Sequence, residues 1–262
     1  MTFHRLGTVM LGAAMLVSCS AIGPGIDRSA IATLAPNDTL RVGLYPGSPT
    51  SYIPGANGGE PGGVGYELAK TLAAQAGVKF VPVVQPSNEK VHEAVKAAQV
   101  DLVFTNATSV RREYLDFTPP VLQIEKGFLV APSSTVQDAA ELDRPGVRIG
   151  VSSGSTTQAE LGPHIRHAQL IPQESLAAGR RALAEGRIDA YASNKAILHE
   201  MGDGVPGARV LPGRWGEEHI AFGIPKGRDA AMPYLRAFVE RLQANGEVRA
   251  AAARAGVRGL AP

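Results

Sequence analysis

The chain is poor in the residues that cross-link or clamp small proteins. Its 262 residues include one Cys and one Trp, and aromatics make up 5% of it. A single Cys excludes an internal disulfide, so stability must come from packing. Charge of one sign is also lacking: 26 Lys and Arg stand against 24 Asp and Glu, a net of +2, with the signs interspersed. That leaves no basic stripe for a nucleic-acid backbone. The six His are scattered. His164 and His167 stand close together but lack a third ligand at a recognisable spacing, which argues for surface positions and against a metal site. No Gly-rich loop ends in Lys-Ser/Thr, as a phosphate-binding loop would. The only long apolar run, Leu6 to Val17, is too short to cross a bilayer, which takes about 20 residues. No metal or cofactor is expected.

What is present begins with that run. His4 and Arg5 precede it, and Leu16-Val17-Ser18-Cys19 closes it. A basic start, a short apolar core and small residues before a cut mark an export signal. The closing tetrapeptide resembles the lipobox of bacterial lipoproteins. The resemblance implies that residues 1–18 are removed and that Cys19 becomes a lipidated N-terminus. The protein would then work on the periplasmic side, anchored to a membrane by lipid and not spanning it. Ser20 stands where an Asp would favour the inner membrane, so the outer membrane is slightly favoured. A plain signal peptide with an incidental Cys19 is the alternative. Ser20 to Asn37 is small, polar and marked by Pro and Gly, and reads as a tether (19–37).

The body that follows has over two hundred residues and the chain is 44% hydrophobic, enough for one large domain or two small ones. Short apolar runs alternate with helix-like stretches. Strands are expected near 40–44, 79–84, 101–104, 147–151, 170–171, 188–192 and 210–211. Helices are expected over 64–76, from Asn88 as a cap to 98, from 158, and over 174–185, 196–201, 230–244 and 247–255. The alternation implies an α/β fold with mainly parallel sheet. Extended segments at 126–131 and 220–224 join two α/β halves, crossing near 124–126 and 218–221. Lobe 1 is then 38–125 with 218–262, and lobe 2 is 126–217. No repeat in sequence relates the halves.

Four segments carry a resemblance to a known family. They are Gly63-Val64-Gly65-Tyr66-Glu67-Leu68-Ala69; Val100-Asp101-Leu102-Val103 followed by Thr108, Arg111-Arg112-Glu113 and Asp116-Phe117-Thr118-Pro119; Val147-Arg148-Ile149-Gly150-Val151-Ser152-Ser153-Gly154-Ser155-Thr156; and Gly186-Arg187-Ile188-Asp189-Ala190. Their order over about 38–250 resembles bacterial extracellular solute-binding proteins, family 3, which serve polar amino acid ABC transporters. The resemblance implies a two-lobed clamshell of the type II periplasmic-binding-protein kind, a small-molecule ligand in the cleft, an ABC permease as partner, a monomer and no catalytic turnover.

It also implies a site. Arg111 falls where the family holds the ligand's carboxylate, and a guanidinium fork suits that group. The alternative for Arg111 is a surface salt bridge with Glu113 or Asp116. Arg112 should point to solvent. Thr108, three residues earlier, could meet the same anion through its N–H and hydroxyl, or cap the turn. Asn106 matches a contact position. Thr156 and Ser155 open a helix of the second lobe, either as ligand contacts or as caps. Tyr45 and Asn194 fall where the family places carboxylates for an α-ammonium. Both acids are missing, so the expected ligand is a carboxylate whose recognition needs no ammonium, and Asn194→Asp should improve amino-acid binding. Lys195 beside Asn194 would favour a second anion. Ser48 stands at an expected aromatic wall, with Tyr52 as a substitute. Glu60, Glu217 or Glu218 could supply a new acid. An enzyme of the dehydratase kind is the competing reading, with His219, Glu218 and Glu174 as loose acid–base candidates. Gly150-Val151-Ser152-Ser153-Gly154 also fits a nucleophile elbow, but no later His has a claim to be its base.

Overall fold

The computed structural model describes residues 27–262. The apolar run, the cleavage site and Cys19 lie outside the described residues. Among the described residues, no helix is long and apolar enough to cross a membrane.

The body begins earlier than expected. Helix α1 (Arg28–Leu34) buries Ala30, Ile31 and Leu34, and Leu34 joins the core of the first lobe. Asp27 caps it, accepting N–H bonds from Ser29 and Ala30 at 3.0 and 3.1 Å. The tether reading of 19–37 is therefore corrected for residues 28–34. Three apolar positions in one short helix fall below the length at which periodicity stands out, and Asp27 passed as linker when it is a cap.

The first lobe then builds β1 (Thr39–Leu44), α2 (Val64–Ala76), β2 (Lys79–Val84), α3 (Asn88–Lys96) and β3 (Leu102–Asn106). Helix α2 stops at Gly77, whose φ of 69° is the left-handed conformation that glycine tolerates best. The N-cap of α3 is Ser87, one residue before the expected Asn88. Strands β4 (Leu115–Phe117) and β5 (Leu122–Val130) follow. The second lobe repeats the plan with β6 (Arg148–Ser152), α4 (Thr156–Leu161), β7 (Gln169–Gln173), α5 (Leu176–Ala184), β8 (Ala190–Asn194), α6 (Lys195–Asp203) and β9 (Arg209–Val210). Strand β10 (Gly216–Pro225) returns to the first lobe, and α7 (Met232–Ala244) and α8 (Glu247–Arg254) close the chain.

The strand order is β2-β1-β3-β10-β5-β8-β6-β7. Within each lobe the neighbouring β1, β2, β3 and β6, β7, β8 are parallel. Strands β5 and β10 pair antiparallel over 122–126 and 216–220. Beyond that ribbon they part: β10 continues along β3 and β4, and β5 along β8 and β9. The cores separate accordingly. Leu40, Phe104, Phe222 and Phe238 pack in one lobe, Phe128, Ile149, Leu129 and Tyr191 in the other. The fold is a two-lobed α/β clamshell with two strand crossings.

The lobes share more than an alternation of elements. In lobe 1, Asp101 accepts from Arg41 Nε and Nη2 at 2.7 Å each, and from the Arg41 backbone N–H at 3.0 Å. In lobe 2, Asp189 accepts from Arg148 Nε and Nη2 at 3.0 and 2.8 Å, and from its backbone N–H at 2.7 Å. Strands β3 and β8 end in Asn106 and Asn194; helices α3 and α5 are capped by Ser87 and Ser175. Two units of similar build thus face each other across the C-terminal ends of their parallel strands, where open α/β sheets place ligands.

Candidate functional site

At that junction residues of both lobes line a cavity. Arg111 reaches it from the turn after β3. Thr108 shapes the turn: its Oγ1 accepts the Arg111 N–H at 3.4 Å, and its own N–H donates to Asn106 O at 3.1 Å. The backbone donor expected to meet the ligand is thus already used. Thr108 lines the outer slot between the lobes and not the cavity.

Arg111 is only 5% exposed. Its Nη1 donates to Thr105 Oγ1 at 2.6 Å and to Asn106 O at 3.1 Å. None of the ion pairs among the described residues includes it, so the surface pairing with Glu113 or Asp116 does not form. Burial lowers its pKa, an effect that nearby Glu218 opposes. A buried cation without an ionic partner is costly, and here it faces a cavity. Arg112 points away, its guanidinium 5.3 Å from the Phe117 ring.

Behind Arg111 stands a residue that no motif marks. His92, buried on α3, sets Nε2 3.5 Å from Thr105 Oγ1 and Nδ1 3.1 Å from the Tyr114 hydroxyl. Burial, reinforced by Arg111, pushes its pKa down to about 2, so the ring is neutral. Tyr114, His92 and Thr105 form a chain of polar contacts that backs the guanidinium. His92→Leu is expected to weaken carboxylate binding about fivefold to tenfold, the worth of roughly one hydrogen bond. Calorimetry checks it, and unchanged affinity would refute the role.

Of the three acids named as possible, Glu218 is the one that reaches the cavity. Glu218 on β10 is 8% exposed and lines the cavity. Asn194 Nδ2 donates to its Oε2 at 2.8 Å. Burial raises the Glu218 pKa, partly offset by that bond and by Lys126 and Arg111. Asn194 Oδ1 accepts the Ile197 N–H at 3.1 Å and caps α6. The cap fixes which end of the amide faces Glu218. An Asp here could cap but not donate, and would set a second carboxylate against the first. The expectation that Asn194→Asp helps is therefore reversed.

Tyr45 lines the same cavity between the two lobe cores, and burial pushes its pKa up to about 12, so it stays a neutral hydroxyl. Asn106 Nδ2 reaches Thr156 Oγ1 across the cleft at 3.4 Å. Ser155 lines the cavity while its Oγ caps α4, accepting the Gln158 N–H at 3.1 Å. The remaining expectations fall elsewhere. Glu60 pairs with Lys70 on the surface, and Glu217 with Arg214. Lys195 pairs with Glu125 at 2.6 Å and is not free for an anion. Tyr52 packs edge-on against Tyr66 and makes no cavity wall; Tyr45 and Phe104 are the aromatics there. His219 and Glu174 are exposed. Ser152 Oγ bonds the Tyr191 hydroxyl at 2.8 Å, with no His in that contact to act as base. Among the described residues no group of metal-ligating side chains forms.

The sequence model of the bacterial extracellular solute-binding proteins, family 3, matches residues 40–255. The chain belongs to that family. A glutamine-binding protein of an ABC transporter from Bacillus subtilis (strain 168) is 19% identical over 242 residues, 88% of each chain. Among solved structures, a solute receptor for L-cysteine from Neisseria gonorrhoeae superposes with a TM-score of 0.76 at 24% identity, covering 88% of this chain and 99% of that one. An ancestral amino-acid-binding protein, a precursor of cyclohexadienyl dehydratase, superposes with a TM-score of 0.73 at 22% identity, covering 83% and 95%. Both structures share the fold of this chain.

Proposed function

We propose that this protein is the substrate-binding component of an ABC importer for α-amino acids, with Arg111 holding the ligand carboxylate and Glu218 its ammonium. One observation carries the reading: a buried guanidinium and a buried carboxylate line one small cavity, and neither is neutralised by an ionic partner there. A zwitterion satisfies both at once, whereas a plain carboxylate leaves Glu218 uncompensated. This replaces the ligand without an ammonium expected from Tyr45 and Asn194. The glutamine-binding relative and the amino-acid-binding neighbours agree with it. A thermal-shift screen of L-amino acids against their deaminated analogues tests it. At 100 times its dissociation constant a ligand adds about 2.7 kcal/mol of stability. Equal shifts from both partners of a pair would sink the ammonium half of the reading.

Binding without turnover is the favoured activity, because of the three acid–base candidates only Glu218 reaches the cavity. Recovery of the ligand unchanged after long incubation supports it, and a dehydrated product would overturn it. We read the protein as a monomer anchored by lipid at Cys19 on the periplasmic side, serving a separate permease. Cys19→Ala should leave it unprocessed or released from membranes on fractionation. A processed variant that stays membrane-bound would refute the anchor.

A further inference from the structure

From the cavity walls we infer that the amino acid has an uncharged, polar side chain: a hydroxyl, thiol or carboxamide. The inference rests on Arg111 and Glu218 holding the head group. Once they do, the cavity offers no second charged side chain. A charged ligand side chain would be buried without a partner, which is costly.

The walls also ask for a polar group. Ser87 and Ser175 line the cavity from opposite lobes as the caps of α3 and α5. Their Oγ atoms accept the N–H of Lys90 at 3.3 Å and of Ala178 at 3.1 Å. A serine used this way still has its O–H to donate. Two hydroxyl donors from matching positions of the two lobes therefore flank the cavity. Ser152 and Thr157 add further hydroxyl groups to its walls, and Phe104 and Leu176 are the apolar limits. An acceptor on the ligand's side chain would be held from both lobes at once, so it would also favour the closed state.

Calorimetry with L-serine, L-cysteine, L-asparagine, L-alanine, L-arginine, L-glutamate and L-phenylalanine tests this. The best of the first three should bind at least 100-fold tighter than arginine, glutamate or phenylalanine, and about tenfold tighter than alanine. In Ser87→Ala/Ser175→Ala the advantage over alanine should fall toward one. If loss of two caps unfolds that variant, the panel on the unmodified protein decides alone. A charged or aromatic best ligand, or alanine equal to the best of the three, overturns the inference. Arg111→Ala separates the two levels. If it abolishes binding of a best ligand with a charged or aromatic side chain, the head-group reading stands and this inference falls. If it leaves binding intact, or no α-amino acid binds, the head-group reading falls and takes this inference with it.

Discussion

Arg111→Ala is expected to cost about 2–5 kcal/mol of ligand affinity, a loss of roughly 30-fold to several thousandfold. The size follows from burial. The guanidinium is 5% exposed, and Thr105 and Asn106 hold it in one orientation. A ligand carboxylate therefore meets a fork that has already lost its water and its freedom, so little ordering is left to oppose binding. The variant also leaves that carboxylate buried without a counter-charge. Arg112→Ala is the control. Its side chain lies against Phe117, outside the cavity, so it should change affinity less than twofold. Equal losses at the two positions, read by calorimetry, would show that the wrong arginine faces the ligand.

The sequence carried most of the scaffold. Alternation of apolar and helical runs located nearly every strand and helix from Thr39 onward, because those elements bury continuous faces and end at Gly77, Gly186 and similar stops. The resemblance to family 3 singled out Arg111, Asn106, Thr156, Ser155, Tyr45 and Asn194, which the fold does gather around one cavity. What escaped has a common cause. Helix α1 is too short for its period to show. His92 supports Arg111 through Thr105, a contact between α3 and β3 that only packing creates. The kinship of the lobes rests on a few polar residues, Arg41 with Asp101 and Arg148 with Asp189, inside otherwise unlike strands. Glu218 was legible only as one of three possible acids, beside Glu60 and Glu217. Residues 218, 220 and 222 are buried and 219 is exposed, so a period of two along β10 sets Glu218 on the same face as Ile220 and Phe222. An acid on a buried strand face is a stronger signal than an acid in a loop, and it outweighs the two missing carboxylates.

Glu218→Gln should abolish the preference for amino acids while leaving the fold intact. The change keeps the size of the side chain and its carbonyl acceptor for Asn194. It removes the one carboxylate that lines the cavity, at a cost of about 2–5 kcal/mol for an α-amino acid, while the deaminated analogue should lose little or gain. The pH dependence separates this from simple damage. Burial holds the Glu218 pKa above its ordinary value of 4.5. Between 4.5 and that raised value, the folded protein keeps a proton that the unfolded chain has lost. Stability without ligand therefore falls as pH rises through this window, since the unfolded state binds fewer protons. Below 4.5 the contribution is fully present. Amino-acid affinity moves the other way, rising over the same window as the carboxylate forms. Glu218→Gln should flatten both slopes and be at least as stable as the parent at neutral pH. Asn194→Asp should do the opposite: two facing carboxylates cannot both ionise cheaply, so stability drops and the titration moves up. Denaturation and calorimetry across pH 4 to 8 read both. A Glu218→Gln protein that binds amino acids as the parent does would return the ammonium to some other group and remove Glu218 from the site.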